Sequence, residues 1–210
     1  MIPHIIKSTA LLSLVAMASS AEAVTIANSF ERELFSTGNN TGVGARAGIG
    51  SMRIGDEDGD GATDQRGVTE FIITGQPTTT SASLEFDQTG ILLGGSFDII
   101  IEAYQANGAI DVIADYSSPS TGTVATFSST DYERGDTGIS FDVTDIYNAA
   151  IANGDTAIGF RFKLVDESPA IQQVVTYGNS VLNITTVPEP SSTLCITLGA
   201  GLLLLRRNRK

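Results

Sequence analysis

Tryptophan is missing from this chain, and cysteine and histidine occur once each, at Cys195 and His4. Each scarcity excludes a chemistry. Residues 24–187 contain neither His nor Cys, so that stretch can hold no Ser-His-Asp triad, no Cys-His pair and no His-ligated zinc. A lone cysteine excludes an intrachain disulfide, so stability must come from packing and ions. Lys163 is the only lysine in the same stretch, and strand alternation turns it outward, away from any Ser-Lys arrangement. Cations are few in general: residues 24–187 carry seven Lys and Arg against 22 Asp and Glu, a net charge of −15. Nucleic acid and anionic membrane surfaces need basic patches and are excluded as partners. Such a charge suits solubility outside the cell and the binding of divalent cations.

Long apolar runs are also scarce, and the two present lie near the ends. His4 and Lys7 precede the apolar stretch Ala10 to Ala18, and Ala21-Glu22-Ala23 supplies the small-x-small pattern of a signal-peptidase site. Residues 1–23 therefore read as a signal peptide, with Val24 as the first exported residue. At the other end, Val187-Pro188-Glu189-Pro190-Ser191-Ser192 leads into an apolar run from Leu194 to Leu205, closed by Arg206, Arg207, Arg209 and Lys210. The Pro-x-Pro step is a stiff break, and the basic cluster marks a cytoplasmic end. Twelve apolar residues make about 18 Å of helix against a hydrocarbon core of about 30 Å, which is short for a permanent span.

This order of motif, short apolar helix and basic tail resembles the PEP-CTERM sorting signal of exported bacterial proteins. The resemblance covers residues 187 to 210. It implies that Pro188, Glu189 and Pro190 are the recognition element, that an exosortase-type protease is the processing partner, and that the helix of residues 188–210 is inserted in the inner membrane only transiently before removal.

Between the two address segments, residues 24–187 are one domain's worth of chain with an all-β texture. Ala82, Leu84 and Phe86 alternate with Ser83, Glu85 and Asp87, and Ile158, Phe160, Phe162 and Leu164 alternate with Gly159, Arg161 and Lys163. Phe97 to Tyr104 makes a further strand. Ala45 to Ile54, Gly67 to Ile73, Ile110 to Asp115, Ile139 to Val143, Gln172 to Thr176 and Val181 to Thr185 bring the expected number to about nine. One helix is expected over Asp145 to Ala152, with Thr144 as its cap and Asn153-Gly154 as its stop. The expected fold is a two-sheet antiparallel sandwich or jelly roll with one short helix. Asp142-Val143-Thr144, followed by the helix and Gly159-Phe160-Arg161, resembles the DNRLRE-type β-sandwich domain of bacterial surface proteins. Met52-Arg53-Ile54-Gly55-Asp56, Arg66-Gly67, Pro77 and Ser81-Ala82-Ser83-Leu84 extend the likeness over most of residues 45 to 185. It implies a secreted, wall-associated or matrix protein with no established chemistry.

Asp56-Glu57-Asp58-Gly59-Asp60-Gly61-Ala62-Thr63-Asp64 is the stretch richest in oxygen ligands. Carboxylates at positions one, three and five, Gly at six, the Ala62 carbonyl at seven and Asp at nine follow the spacing of a calcium loop. Asp56, Asp58, Asp60, Ala62 and Asp64 are thus candidate calcium ligands, although position twelve is Gly67 and no helices are expected to flank the loop. A solvated acidic hairpin tip explains the same composition. Two carboxylates are the one catalytic device left, and Asp142 with Asp145 or Glu102 with Asp111 are the pairs to consider for a glycan-active enzyme. Tyr104, Tyr116, Tyr132, Tyr147 and Tyr177 are the rings available to a carbohydrate-binding face. The expectation is a non-enzymatic exported protein of the cell envelope or extracellular, exopolysaccharide-associated matrix. A carbohydrate-binding module comes second and a carboxylate-dependent enzyme third.

Overall fold

The computed structural model describes residues 21–37, 44–46, 51–56, 63–90, 93–109, 111–167 and 172–186. In chain order these hold β1 (Glu22–Ala27), β2 (Phe30–Thr37), β3 (Gly44–Arg46), β4 (Met52–Asp56), β5 (Thr63–Ile72), β6 (Ser81–Gln88), β7 (Asp98–Ala106), α1 (Val112–Ser117), β8 (Ser120–Ser128), β9 (Ile139–Asp142), α2 (Thr144–Asn153), β10 (Ala157–Leu164) and β11 (Gln173–Thr186). The strands join in one sheet whose main path runs β8-β7-β10-β5-β4-β11-β6-β9. β1 is added on β11, and β2 on β5 carries β3. Every pairing is antiparallel.

Alternation wraps this sheet around a single main core. Ala82, Leu84 and Phe86 on β6, Ile99 and Ile101 on β7, and Ile158, Phe160, Phe162 and Leu164 on β10 all point inward. Phe86 meets Phe162 edge-on at 4.9 Å although three strands separate β6 from β10 along the sheet, so this contact crosses the interior. The path's two ends also return to each other, with the Phe127 ring of β8 5.4 Å from Phe141 of β9. The result is a nearly closed, two-layered β structure. The layers part at β5, which keeps β2 along one edge while its other edge passes from β4, at Gly55↔Gln65, to β10, at Gly67↔Phe162. Glycine is needed at that handover, because a Cβ on Gly67 would lie 2.6 Å from Cβ of Met52.

The all-β antiparallel architecture is the expected one, and several elements differ in detail. Of Ile110 to Asp115, expected as a strand, Val112 to Asp115 belong instead to α1, and Ile110 lies outside the described residues. Asp111 caps that helix by accepting the Ala114 N–H at 3.1 Å, and Val112 and Tyr116, four residues apart, share one apolar face. The helix expected from Asp145 begins one residue earlier, and Thr144 is not its cap. Val143 holds the cap position, and the Thr144 hydroxyl is bonded to the Asp142 carboxylate at 2.6 Å, while Asp142 also accepts the Thr144 N–H. Gly154 stops the helix in the left-handed conformation, at φ 76°. The expected strands Gln172 to Thr176 and Val181 to Thr185 are one strand, β11, interrupted by a bulge between Gly178 and Val181. Ala45 to Ile54 is divided between β3 and β4, and β1 and β2 were not anticipated.

Candidate functional site

Strands that point Phe and Ile into the core must point the intervening residues the other way. On β5 these are Arg66, Val68 and Glu70; on β7, Glu102 and Tyr104; on β10, Gly159, Arg161 and Lys163. Alternation alone makes this a solvent face, yet Glu70 has no exposed surface, Arg161 is 4% exposed and Arg66 is 6% exposed. The cover is α1. Its Tyr116 joins Phe30, Leu34 and Val68 in a second, smaller apolar cluster, with Val112 packed against it.

A six-residue helix has too little apolar area to hold itself down, and its last carbonyls need donors. Two arginines supply them. Arg161 Nη1 donates to the carbonyls of Tyr116 at 2.9 Å and Ser118 at 3.0 Å, and its Nη2 donates to Glu102 at 2.8 Å. Arg66 Nη1 donates to the same Tyr116 carbonyl at 2.6 Å, while Nε and Nη2 grip the two oxygens of Glu167 at 2.6 and 2.8 Å. Its guanidinium also stacks 4.0 Å from the Tyr116 ring centre. Cations at a helix C-terminus complement its partial negative charge, which adds to the hydrogen bonds. For Glu102, burial pushes the carboxyl up, but the Arg161 hydrogen bond and the charges of Lys163 and Arg161 outweigh it and hold the group below the usual carboxylate range.

Beneath the other end of α1 lies a pair of buried carboxyls. Glu70 accepts the Tyr104 hydroxyl on Oε1 at 2.9 Å and the Gly108 N–H on Oε2 at 2.8 Å. The Asp115 carboxyl, 3% exposed, lies against Glu70 and accepts the Asp111 N–H at 2.7 Å. Burial, and then the charge of Asp115, raise Glu70 to about 7. Burial likewise raises Asp115, and burial with the negative charge of Glu70 pushes the Tyr104 hydroxyl well up. Two carboxylates in contact without solvent cannot both ionise cheaply, so the pair retains a proton well above the ordinary carboxyl range. Tyr104 reaches Glu70 because its ring lies over Gly159, where a Cβ would come within 2.3 Å of the ring. The network is closed to solvent, and its chemistry is the holding of a proton and of a helix.

Residues singled out from sequence fall elsewhere. Asp56 ends β4 and is fully buried, and Asp64 lies in β5 opposite Ser36; Asp58, Asp60 and Ala62 lie outside the described residues. Among the described residues no group of three or more His, Cys, Asp or Glu side chains is placed to hold a metal ion. Three of the four carboxylates considered as catalytic pairs have structural partners: Glu102 binds Arg161, Asp111 caps α1, and Asp142 bonds Thr144, while Asp145 is exposed in the first turn of α2. Tyr104, Tyr116, Tyr147 and Tyr177 are buried to within 1% exposure, so they cannot stack on a sugar. Tyr132, half-buried, rests edge-on against Phe127 at 5.7 Å. Ala21 precedes β1, and Ala23 is paired with Thr185; cleavage after Ala23 would leave Val24 to Ala27 on the same edge of β11. Pro188, Glu189 and Pro190, with the apolar run after them, lie outside the described residues, and among those described no helix is long and apolar enough to cross a membrane.

Sequence reasoning missed the Glu70–Asp115 pair, although two signals were present. Glu70 is a charge set among the strand formers Val68, Thr69, Phe71 and Ile72, and Asp111 and Asp115 stand at a helical spacing of four that brackets Val112. A scan against protein-family models gives no match, and a search of curated proteins gives none either.

Proposed function

We propose that the chain is a non-enzymatic exported protein of the cell envelope or extracellular matrix, delivered through its tail by an exosortase-type protease. The observation that carries this reading is the ordered tail: Pro188-Glu189-Pro190, an apolar run too short for a stable anchor, and four terminal cations. The body supports it. Its carboxylates at Glu70, Glu102, Asp115 and Asp142 are engaged in holding strands and helices together, and four of its five tyrosines are interior packing. An acidic β structure of this kind suits a matrix component associated with exopolysaccharide, which it would contact through exposed polar side chains rather than through a ring-lined groove.

Replacement of Pro188 and Pro190 with Ala tests the reading. The doubly substituted chain is expected to be exported but to stay in the membrane fraction with its tail attached, whereas the native chain is released shortened. Intact-mass measurement that finds Lys210 on the released native protein would overturn it. A glycan array probed with residues 24–187 addresses the carbohydrate-binding alternative, and the reading expects no discrete glycan specificity there.

A further inference from the structure

The buried carboxyls have a consequence beyond that reading. The segment from Gly108 to Ser118 is fastened to the sheet at three places: the Gly108 N–H on Glu70, Asp115 against Glu70, and the Tyr116 and Ser118 carbonyls on Arg66 and Arg161. Two of the three fastenings converge on one carboxyl. Under them lies the outer apolar strip of Phe30, Leu34 and Val68, against which α1 packs Tyr116 and Val112. We propose that Glu70 and Asp115 form a proton-operated latch, which holds α1 over this strip while the pair keeps its proton and releases it in alkaline medium.

The charges around the pair fit this role. From β5 comes Arg66, from β7 Glu102 and Tyr104, from β10 Arg161 and Lys163, from the cap of α1 Asp111, and from β2, two residues beyond Phe30, Arg32. Arg66 is taken up bidentately by Glu167, and Arg161 and Lys163 by Glu102, the latter at 3.3 Å. Arg32 Nη1 is turned to the Glu31 carbonyl at 2.9 Å. The side-chain donor that the structure gives Glu70 is the Tyr104 hydroxyl, which is neutral. Loss of the shared proton therefore sets two carboxylates against each other with no cation inserted between them. Moving the helix is the least disruptive relief: Glu70 is fixed in a central strand, whereas Asp115 rides on a six-residue helix whose apolar contacts are Val112 and Tyr116.

Hydrogen–deuterium exchange of the full-length chain in mild detergent reads the latch directly. Protection at the amides of Gly108, Asp111, Ala114, Asp115 and Ser118, corrected for intrinsic exchange, is expected to fall by about tenfold or more as pH rises through the range where Glu70 titrates. Interior amides of β7 and β10 should keep theirs. An apolar fluorescent dye should bind over the same interval as the strip is uncovered. Glu70→Gln keeps the shape without the charge and should flatten both profiles. Asp115→Asn is the independent second variant and should flatten them as well, should the first fail to fold. A native protein with pH-independent protection in this segment, or a variant that keeps the native profile, would overturn the latch.

Discussion

Gly159 shows how one missing side chain organises many others. Its bare backbone lets the Tyr104 ring lie flat across β10, and the ring's hydroxyl then reaches Glu70. A Gly159→Ala substitution should displace the ring and break that hydrogen bond, costing about 1–3 kcal/mol as overpacking, read from the urea midpoint. The next four residues separate packing from charge. Phe160→Ala should cost about 3–5 kcal/mol, as should Phe162→Ala, because both rings are fully buried in the main core; a loss under about 1 kcal/mol at both would mean that the inward face is misassigned. Arg161→Met keeps the apolar stem but removes the donor to the Ser118 carbonyl, leaving Glu102 to Lys163 and the Tyr116 carbonyl to Arg66, so about 1–3 kcal/mol is expected. Lys163→Met should cost under about 1 kcal/mol, since that partly exposed lysine makes a longer contact and leaves Glu102 with Arg161.

Strands that obey period two were legible in the sequence, and elements held by long-range polar contacts were not. β6 and β10 could be read because their apolar residues alternate without interruption. β11 was read as two strands because Gly178-Asn179-Ser180 looks like a turn. What keeps it one strand is Glu31, whose carboxylate accepts the Asn179 and Ser180 N–H groups at 3.2 and 2.8 Å and so stabilises a bulge with Asn179 at φ 57°. That partner is 148 residues away from Asn179, beyond any local pattern. α1 was misread for a similar reason: six residues carry little periodicity, and the Arg66 and Arg161 contacts that secure it come from strands distant in sequence. The β4–β5 connection carries the calcium expectation, and a stability measurement tests it with a definite sign. Sharing an ion among Asp56, Asp58, Asp60 and Asp64 should raise stability by about 2.7 kcal/mol at calcium about 100 times the dissociation constant, with the gain lost in chelator. Asp58→Ala should remove that dependence while changing the chelated protein little. Identical midpoints in calcium and in chelator would reduce the stretch to a solvated turn.

The chain as a whole is strongly acidic, and two of the carboxyls engaged within its fold respond to pH in opposite directions. Glu70 rises from the ordinary 4.5 to about 7, so the folded protein binds a proton that the unfolded chain has already lost. The stability tied to that proton is fully present below about pH 4.5 and is lost as pH rises through about 7. Glu102 works the other way. Its carboxyl is held low by Arg161 and Lys163, so its contribution is present above the ordinary carboxyl value and is lost as pH falls through its lowered folded value. Together these two carboxyls contribute most on the acid side of neutrality, near the ordinary carboxyl range. The Glu70 limb is worth on the order of 3 kcal/mol at most. It has a natural ceiling, because a molecule that can lift α1 and hydrate Glu70 loses no more than the free energy of that local opening. Urea titrations at about pH 5, 7 and 8.5 should therefore show stability falling and then levelling in the native chain. Glu70→Gln should remove the fall, and a native protein whose urea midpoint rises between pH 5 and 8.5 would contradict the assignment of a retained proton to Glu70 and Asp115.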